Sequence, residues 1–209
     1  MALTAPTVAS DPATAAHTNT ALAAVNTFIT TAHSEATSAG EAMIEQVRTR
    51  DGNLGLIDRM TAAVATLAGG GAAAPSVVTD PASQSQTNTA LATLAGYIDG
   101  LNSRFLSVLV VFRESVQRTD GNLGILDGID ADIAALSAPS SVVAPTVASN
   151  PVSQANMNTA LATLTTAVDS ANSESVTGLE SVLVYMRRSG SSSALVHTVE
   201  GGRAALQSP

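Results

Sequence analysis

Along Thr87–Phe112 the apolar positions Leu91, Leu94, Ile98, Leu101, Phe105, Val108 and Phe112 recur at alternating steps of three and four, the spacing of a helical heptad seam. The pattern begins again at Thr18-Asn19-Thr20-Ala21-Leu22 and at Met157-Asn158-Thr159-Ala160-Leu161, offset by 69 and 70 residues. The chain therefore reads as a threefold tandem repeat. In the first copy the seam runs Leu22, Val25, Ile29, Ala32, Ala36, Ala39, Met43. In the third it runs Leu161, Leu164, Val168, Ala171, Ser175 and then slips by one position to Leu179, Val182 and Met186.

Each repeat opens with a Pro-bearing arm, Ala5–Ser10, Ala74–Thr79 or Ala144–Ser149, whose proline and β-branched residues favour extended backbone. Asp11-Pro12, Asp80-Pro81 and Asn150-Pro151 follow, each predicting an N-cap acceptor with proline at the first helical position. No proline interrupts the chain from there to Arg50 or Arg118, which allows a long helix of about 38 residues, roughly 57 Å. Asp51-Gly52-Asn53 and Asp120-Gly121-Asn122 predict a stop, with glycine taking the left-handed conformation and Asn capping the next helix.

The short helices carry their own seams. These are Ile57, Met60, Val64 and Leu67; Leu126, Ile129, Ile133 and Leu136; and Val196, Val199, Arg203 and Leu206, where a cation stands at one seam position. Leu109, Val110 and Val111 make the end of the middle long helix apolar all round, so it needs cover on more than one side, which the returning short helix can supply. By contrast Gly96, Gly100, Ser103 and Ser107 lie opposite the seam as a smooth, uncharged face open to another chain.

These readings predict an all-α protein of three tandem helical-hairpin repeats, residues 1–70, 71–139 and a divergent 140–209. Because no repeat buries its seam alone, the three should co-fold as one unit, a pseudo-threefold coiled-coil-like bundle with short extended arms. The linkers at 68–73 and 137–141 read as flexible.

Composition narrows the function classes. Aromatics are 2% and Trp is absent, so Ala, Val, Leu and Ile must fill the core. Charged residues are 12%, against roughly 25% in ordinary domains, so much of the surface is small and neutral. A net charge of −8 argues against nucleic acid, which needs clustered cations. Cys is absent, which excludes thiolate metal sites and disulfides. The start lacks a signal-peptide pattern, and the longest apolar run, Leu106–Phe112 broken by Ser107, is too short to span a bilayer, so no membrane partner is expected.

Candidate chemistry is sparse. Asp51-x-Asn53 and Asp120-x-Asn122 resemble the opening of a calcium loop, but its fifth and twelfth places hold Gly55 and Ala62, or Gly124 and Ala131, so a capping turn is the better reading and no metal or cofactor is expected. Asp127, Asp130 and Asp132 read as an acidic patch on a solvent face, and His17, His33 and His197 as surface or helix-end residues. Gly190-Ser191-Ser192-Ser193 reads as a turn, and no serine has a nucleophile-elbow context. Asn19, Asn88 and Asn158 recur beside the seam, either as caps or outward polar residues, or as a ring of three amides fixing register.

The expected function is a non-enzymatic structural protein. In style the Ala/Thr/Ser-rich, Cys-free composition resembles accessory structural proteins of tailed-phage particles, such as capsid decoration or cement proteins, fibres and tail components. The resemblance rests on composition and carries no functional residue over. It implies location in a virion, with other structural proteins or a second copy as partners; the seam pattern, not the resemblance, supplies Gly96, Gly100, Ser103, Asn19, Asn88 and Asn158 as interaction candidates. The alternative is a cellular, cytoplasmic helical-repeat adaptor or a surface binding module.

Overall fold

The computed structural model describes residues 3–70, 73–137 and 142–207. Among them are six α-helices and no strand: α1 (Ala15–Arg50), α2 (Leu54–Ala68), α3 (Gln84–Thr119), α4 (Leu123–Ser137), α5 (Gln154–Arg188) and α6 (Ser193–Gln207). Long helices of 36, 36 and 35 residues thus alternate with short ones of 15. α1, α3 and α5 each pack against the other two. Each short helix lies on two long ones: α2 on α1 and α3, α4 on α3 and α5, α6 on α5 and α1.

The seam positions named above on the three long helices are all buried, none more than 1% exposed. The slip read in the third copy has a simple cause. Gly178, also buried, continues the three–four step from Ser175, but a glycine is invisible to a hydrophobic pattern, so the sequence pointed to Leu179, which is buried beside it. On the short helices Ile133 is half-buried and Arg203 pairs with Glu180 at 3.2 Å, while Gly202 takes the close contact with α1, where an added Cβ would meet the Glu35 carbonyl at 3.1 Å. Leu109 and Val111 are covered, whereas Val110 remains 42% exposed.

The long helices end as expected. Gly52, Gly121 and Gly190 have φ of 66°, 65° and 69°, and Asn53 Oδ1 and Asn122 Oδ1 accept from the Leu56 and Ile125 N–H groups at 3.0 and 3.1 Å. Their beginnings differ. The N-caps are Thr14, Ser83 and Ser153, and the prolines stand outside the helices, following cis peptide bonds.

The residue after each proline is committed to a different partner. Ala13 N–H donates to Val152 O (2.8 Å), Val152 N–H to Ala82 O (3.0 Å) and Ala82 N–H to Ala13 O (2.8 Å). This closed triangle, made by three residues with no exposed surface, turns their peptide groups toward one another instead of along a helix axis. Asp80, Asn150 and Asp11, expected to cap the helices they precede, instead accept from the Ala15, Gln84 and Gln154 N–H groups at 3.3, 3.4 and 3.3 Å, each the first residue of a different long helix.

As a whole α3 is long and apolar enough to cross a membrane by length and composition, which the short run Leu106–Phe112 understates; 44% of its most apolar 18-residue stretch is buried inside the bundle. Its seam residues together with Leu109, Val110 and Val111 beside them give it that apolar character. The linker residues 71–72 and 138–141, expected to be flexible, lie outside the described residues.

Candidate interaction surface

Asn19, Asn88 and Asn158 neither cap helices nor meet one another. Each grips the backbone of the segment that precedes a different long helix. Asn19 Oδ1 accepts the Val77 N–H (2.7 Å) and its Nδ2 donates to Val77 O (2.9 Å). Asn88 does the same to Val147 (2.8 and 3.4 Å), and Asn158 to Val8 (2.7 and 3.4 Å). A side-chain amide offers a donor and an acceptor side by side, so it can satisfy both polar groups of one residue in a segment that has no sheet partner.

The gripped residue is a valine, and all three valines are 1% exposed. The arms each insert one apolar anchor into the core, a burial of about 1.5–3 kcal/mol per side chain. Further bonds extend the clasp. Gln84 Nε2 and Gln154 Nε2 donate to the Val147 and Val8 carbonyls at 2.9 and 2.8 Å, and the Asp99 and Asp169 carboxylates accept from Val142 and Leu3 N–H. His17 Nδ1 lies 2.9 Å from Ser10 Oγ, where Asn156 Nδ2 donates to Ser149 Oγ and Gln86 Oε1 accepts from Thr79, so this histidine is one of three polar ties holding an arm to its own helix.

The face opposite the α3 seam is present but less uniform than expected. Gly96 and Ser103 are exposed, and an added Cβ at Gly96 would meet nothing within 4 Å. At Gly100 it would lie 3.7 Å from Arg104 Cζ, so a guanidinium borders a face that the sequence suggested was uncharged. Outward threonines on α5 donate to their own helix, Thr159 to Ala155, Thr163 to Thr159 and Thr166 to Ala162, each at 3.0 Å. Such back-bonding commits the hydroxyl protons internally and leaves a surface of methyl groups and weak acceptors.

Two titratable residues contradict the surface reading. His33 is 2% exposed, with Nδ1 3.1 Å from Leu67 O and Nε2 3.4 Å from Tyr97 O. Burial, aided by the nearby Arg104 charge, pushes its pKa below the ordinary value against the opposing pull of the two carbonyls. Asp132 is 7% exposed, and its Oδ2 has no hydrogen-bond partner. Burial raises its pKa, Glu180 adds to this, and the Ser181 hydroxyl opposes it. Asp127 is exposed, and Asp130 holds Arg113 through two bonds of 2.8 Å, which lowers the carboxyl pKa.

Asp51, the first residue of the calcium-like turn, accepts from Arg118 at 3.1 Å, and Asp120 from Arg188 at 3.1 Å. These ion pairs join the end of one long helix to the next. Where the third pair would stand, Ser189 replaces the aspartate, and buried Gln46 instead bonds Ser189 and Ser191 at 3.0 and 2.7 Å. Among the described residues no group of three or more His, Asp or Glu side chains is placed to hold a metal ion. Compared with models of protein families, with curated proteins and with solved structures, the chain matches none.

Proposed function

We propose that the chain is a non-enzymatic structural protein, a pseudo-trimer in one polypeptide that serves as an accessory component of a larger assembly, the particle of a phage or other virus. One observation carries the reading: the same clasp, an asparagine gripping a buried valine of another repeat, recurs three times and runs in one cyclic direction. On this reading the repeats are equivalent subunits around an axis, and the Pro-bearing arms are the fasteners between them. Such a plan stabilises a body through repetition and makes no demand for a reactive centre. The neutral outer faces suit lateral contact with other protein.

Purification from the producing cells tests it. A particle component sediments with megadalton assemblies and leaves them only on disruption. A chain recovered solely as a small soluble species would instead favour the adaptor reading, in which the face around Gly96 and Ser103 captures one partner. Gly96→Arg separates fold from function, because the site is open and the change should leave melting unchanged or slightly raised while incorporation falls.

A further inference from the structure

The clasp on α5 differs from the other two in one respect. Val77 and Val147 lie 58 and 59 residues from the asparagines that hold them, and each sits between two helices of the chain. Val8 lies 150 residues from Asn158, and lifting the segment from Leu3 to Asp11 requires none of the six helices to move. We infer that the α5 clasp is a segment-binding site whose second partner is the same segment of another copy of this chain, exchanged between two molecules.

The contacts support recognition of the segment itself. Asn158 bonds the N–H and C=O of Val8, and Gln154 Nε2 adds a second donor to that carbonyl at 2.8 Å. The Asp169 carboxylate accepts the Leu3 N–H at 3.0 and 3.1 Å, and Asp11 Oδ1 accepts the Gln154 N–H at 3.3 Å. Val8 fills a closed apolar site. Every one of these bonds lies between residues 3–11 and α5 and is the same whichever molecule supplies the segment, whereas the ties of Ser10 Oγ to Thr14 N–H and His17 Nδ1 would be remade with the other molecule's α1. Asp11–Thr14 is the turn that would redirect the segment, and Ala13 keeps its place in the backbone triangle in either arrangement.

Connectivity decides between the two states. A short tether gives a segment an effective concentration on the order of millimolar, so a dilute chain closes on its own α5. Where copies are packed side by side, or refold together at high concentration, exchange competes. Exchange of identical elements at a hinge creates no new contact, which makes it a low-cost route to association.

Two full-length variants test this by complementation. Val8→Asp spoils the segment and leaves the clasp intact; Asn158→Ala with Gln154→Ala spoils the clasp and leaves the segment intact. Each alone is expected to be monomeric. Mixed in equal amounts they should form a heterodimer, read as a doubling of mass by light scattering, because the empty clasp of one accepts the released segment of the other. A mixture that stays monomeric while both variants keep wild-type helical circular dichroism overturns the inference. If Val8→Asp loses helix content, the isosteric Val8→Thr replaces it with the same two outcomes. As a second measurement, a fluorescent peptide of residues 3–13 should bind the Val8 variant saturably and lose that binding when Asn158→Ala is added; absence of binding overturns the inference as well. The result is independent of the virion reading, since a heterodimer that forms without particle incorporation would count against that reading alone.

Discussion

Phe105 of α3 occupies the room that Gly178 of α5 leaves: a Cβ at position 178 would lie 3.1 Å from the phenyl Cε1 and 2.9 Å from Leu109 Cδ1. At the positions equivalent to Phe105 the other repeats hold Ala36 and Ser175, and all three are fully buried. One large residue and several small ones therefore share a layer that three like residues fill elsewhere, as at Leu22, Leu91 and Leu161.

Phe105→Ala should thus destabilise the protein by about 3–5 kcal/mol, since small neighbours cannot collapse onto the void. Gly178→Val should cost about 1–3 kcal/mol despite removing a glycine from a helix, because overpacking outweighs the gain in propensity. Denaturant midpoints measure both, and a neutral Gly178→Val would refute this packing.

Asn19→Ala, Asn88→Ala and Asn158→Ala should each lower stability by about 1–3 kcal/mol, because each leaves a backbone N–H of a buried valine without its acceptor. Asn→Asp keeps the acceptor and loses the donor, and should cost less than Asn→Ala at the same site. Thermal melts of the six variants check the order; equal effects of Ala and Asp would deny the acceptor its role.

His33 gives a pH dependence of known sign. Its pKa is lowered by burial in the folded state, so the unfolded chain binds a proton more readily, and stability present above the unfolded value of about 6.5 is lost as pH falls through it toward the folded one. His33→Asn supplies the residue found at the equivalent positions Asn102 and Asn172 and should flatten that part of the profile. Chemical denaturation at several pH values between 5 and 8 reads it, roughly the range over which histidine titrates.

Asp132 has the opposite sign. Its raised folded pKa means that the folded chain binds the proton more readily, so stability falls as pH rises through that value. Asp132→Ala, which places the Ala63 of the first repeat at the equivalent position, should raise the melting temperature at neutral pH and remove this slope. A lower melting temperature at pH 7 would show that the carboxylate is stabilised by its surroundings.

The fold was legible where information is local. The seams through Leu22, Leu91 and Leu161, the left-handed Gly52 and Gly121, and the caps at Asn53 and Asn122 depend on residues a few places apart, which periodicity and turn chemistry report directly. The candidate site was legible as a recurrence and not as a partnership. Nothing near Asn158 in sequence indicates Val8, and nothing near Asp80 indicates the N–H of Ala15, because a polar side chain states what it can bond and never with whom. Asp132 and His33 failed for a related reason: their surroundings come from other helices, Ser181 of α5 for the first and Leu67 of α2 with Tyr97 of α3 for the second, while their own helices present them as ordinary polar positions.

The triangle of Ala13, Ala82 and Val152 has a direction of travel but no first member. Each of these three residues donates to one neighbour and accepts from the other, so the order in which the ribosome makes them is not written into their contacts. The molecule is in this sense a necklace opened at one link. Joining its ends and opening it instead in the linker between α2 and α3 would leave every long helix with the neighbours it has now. Such a circular permutant should melt as the parent does while folding in a different temporal order.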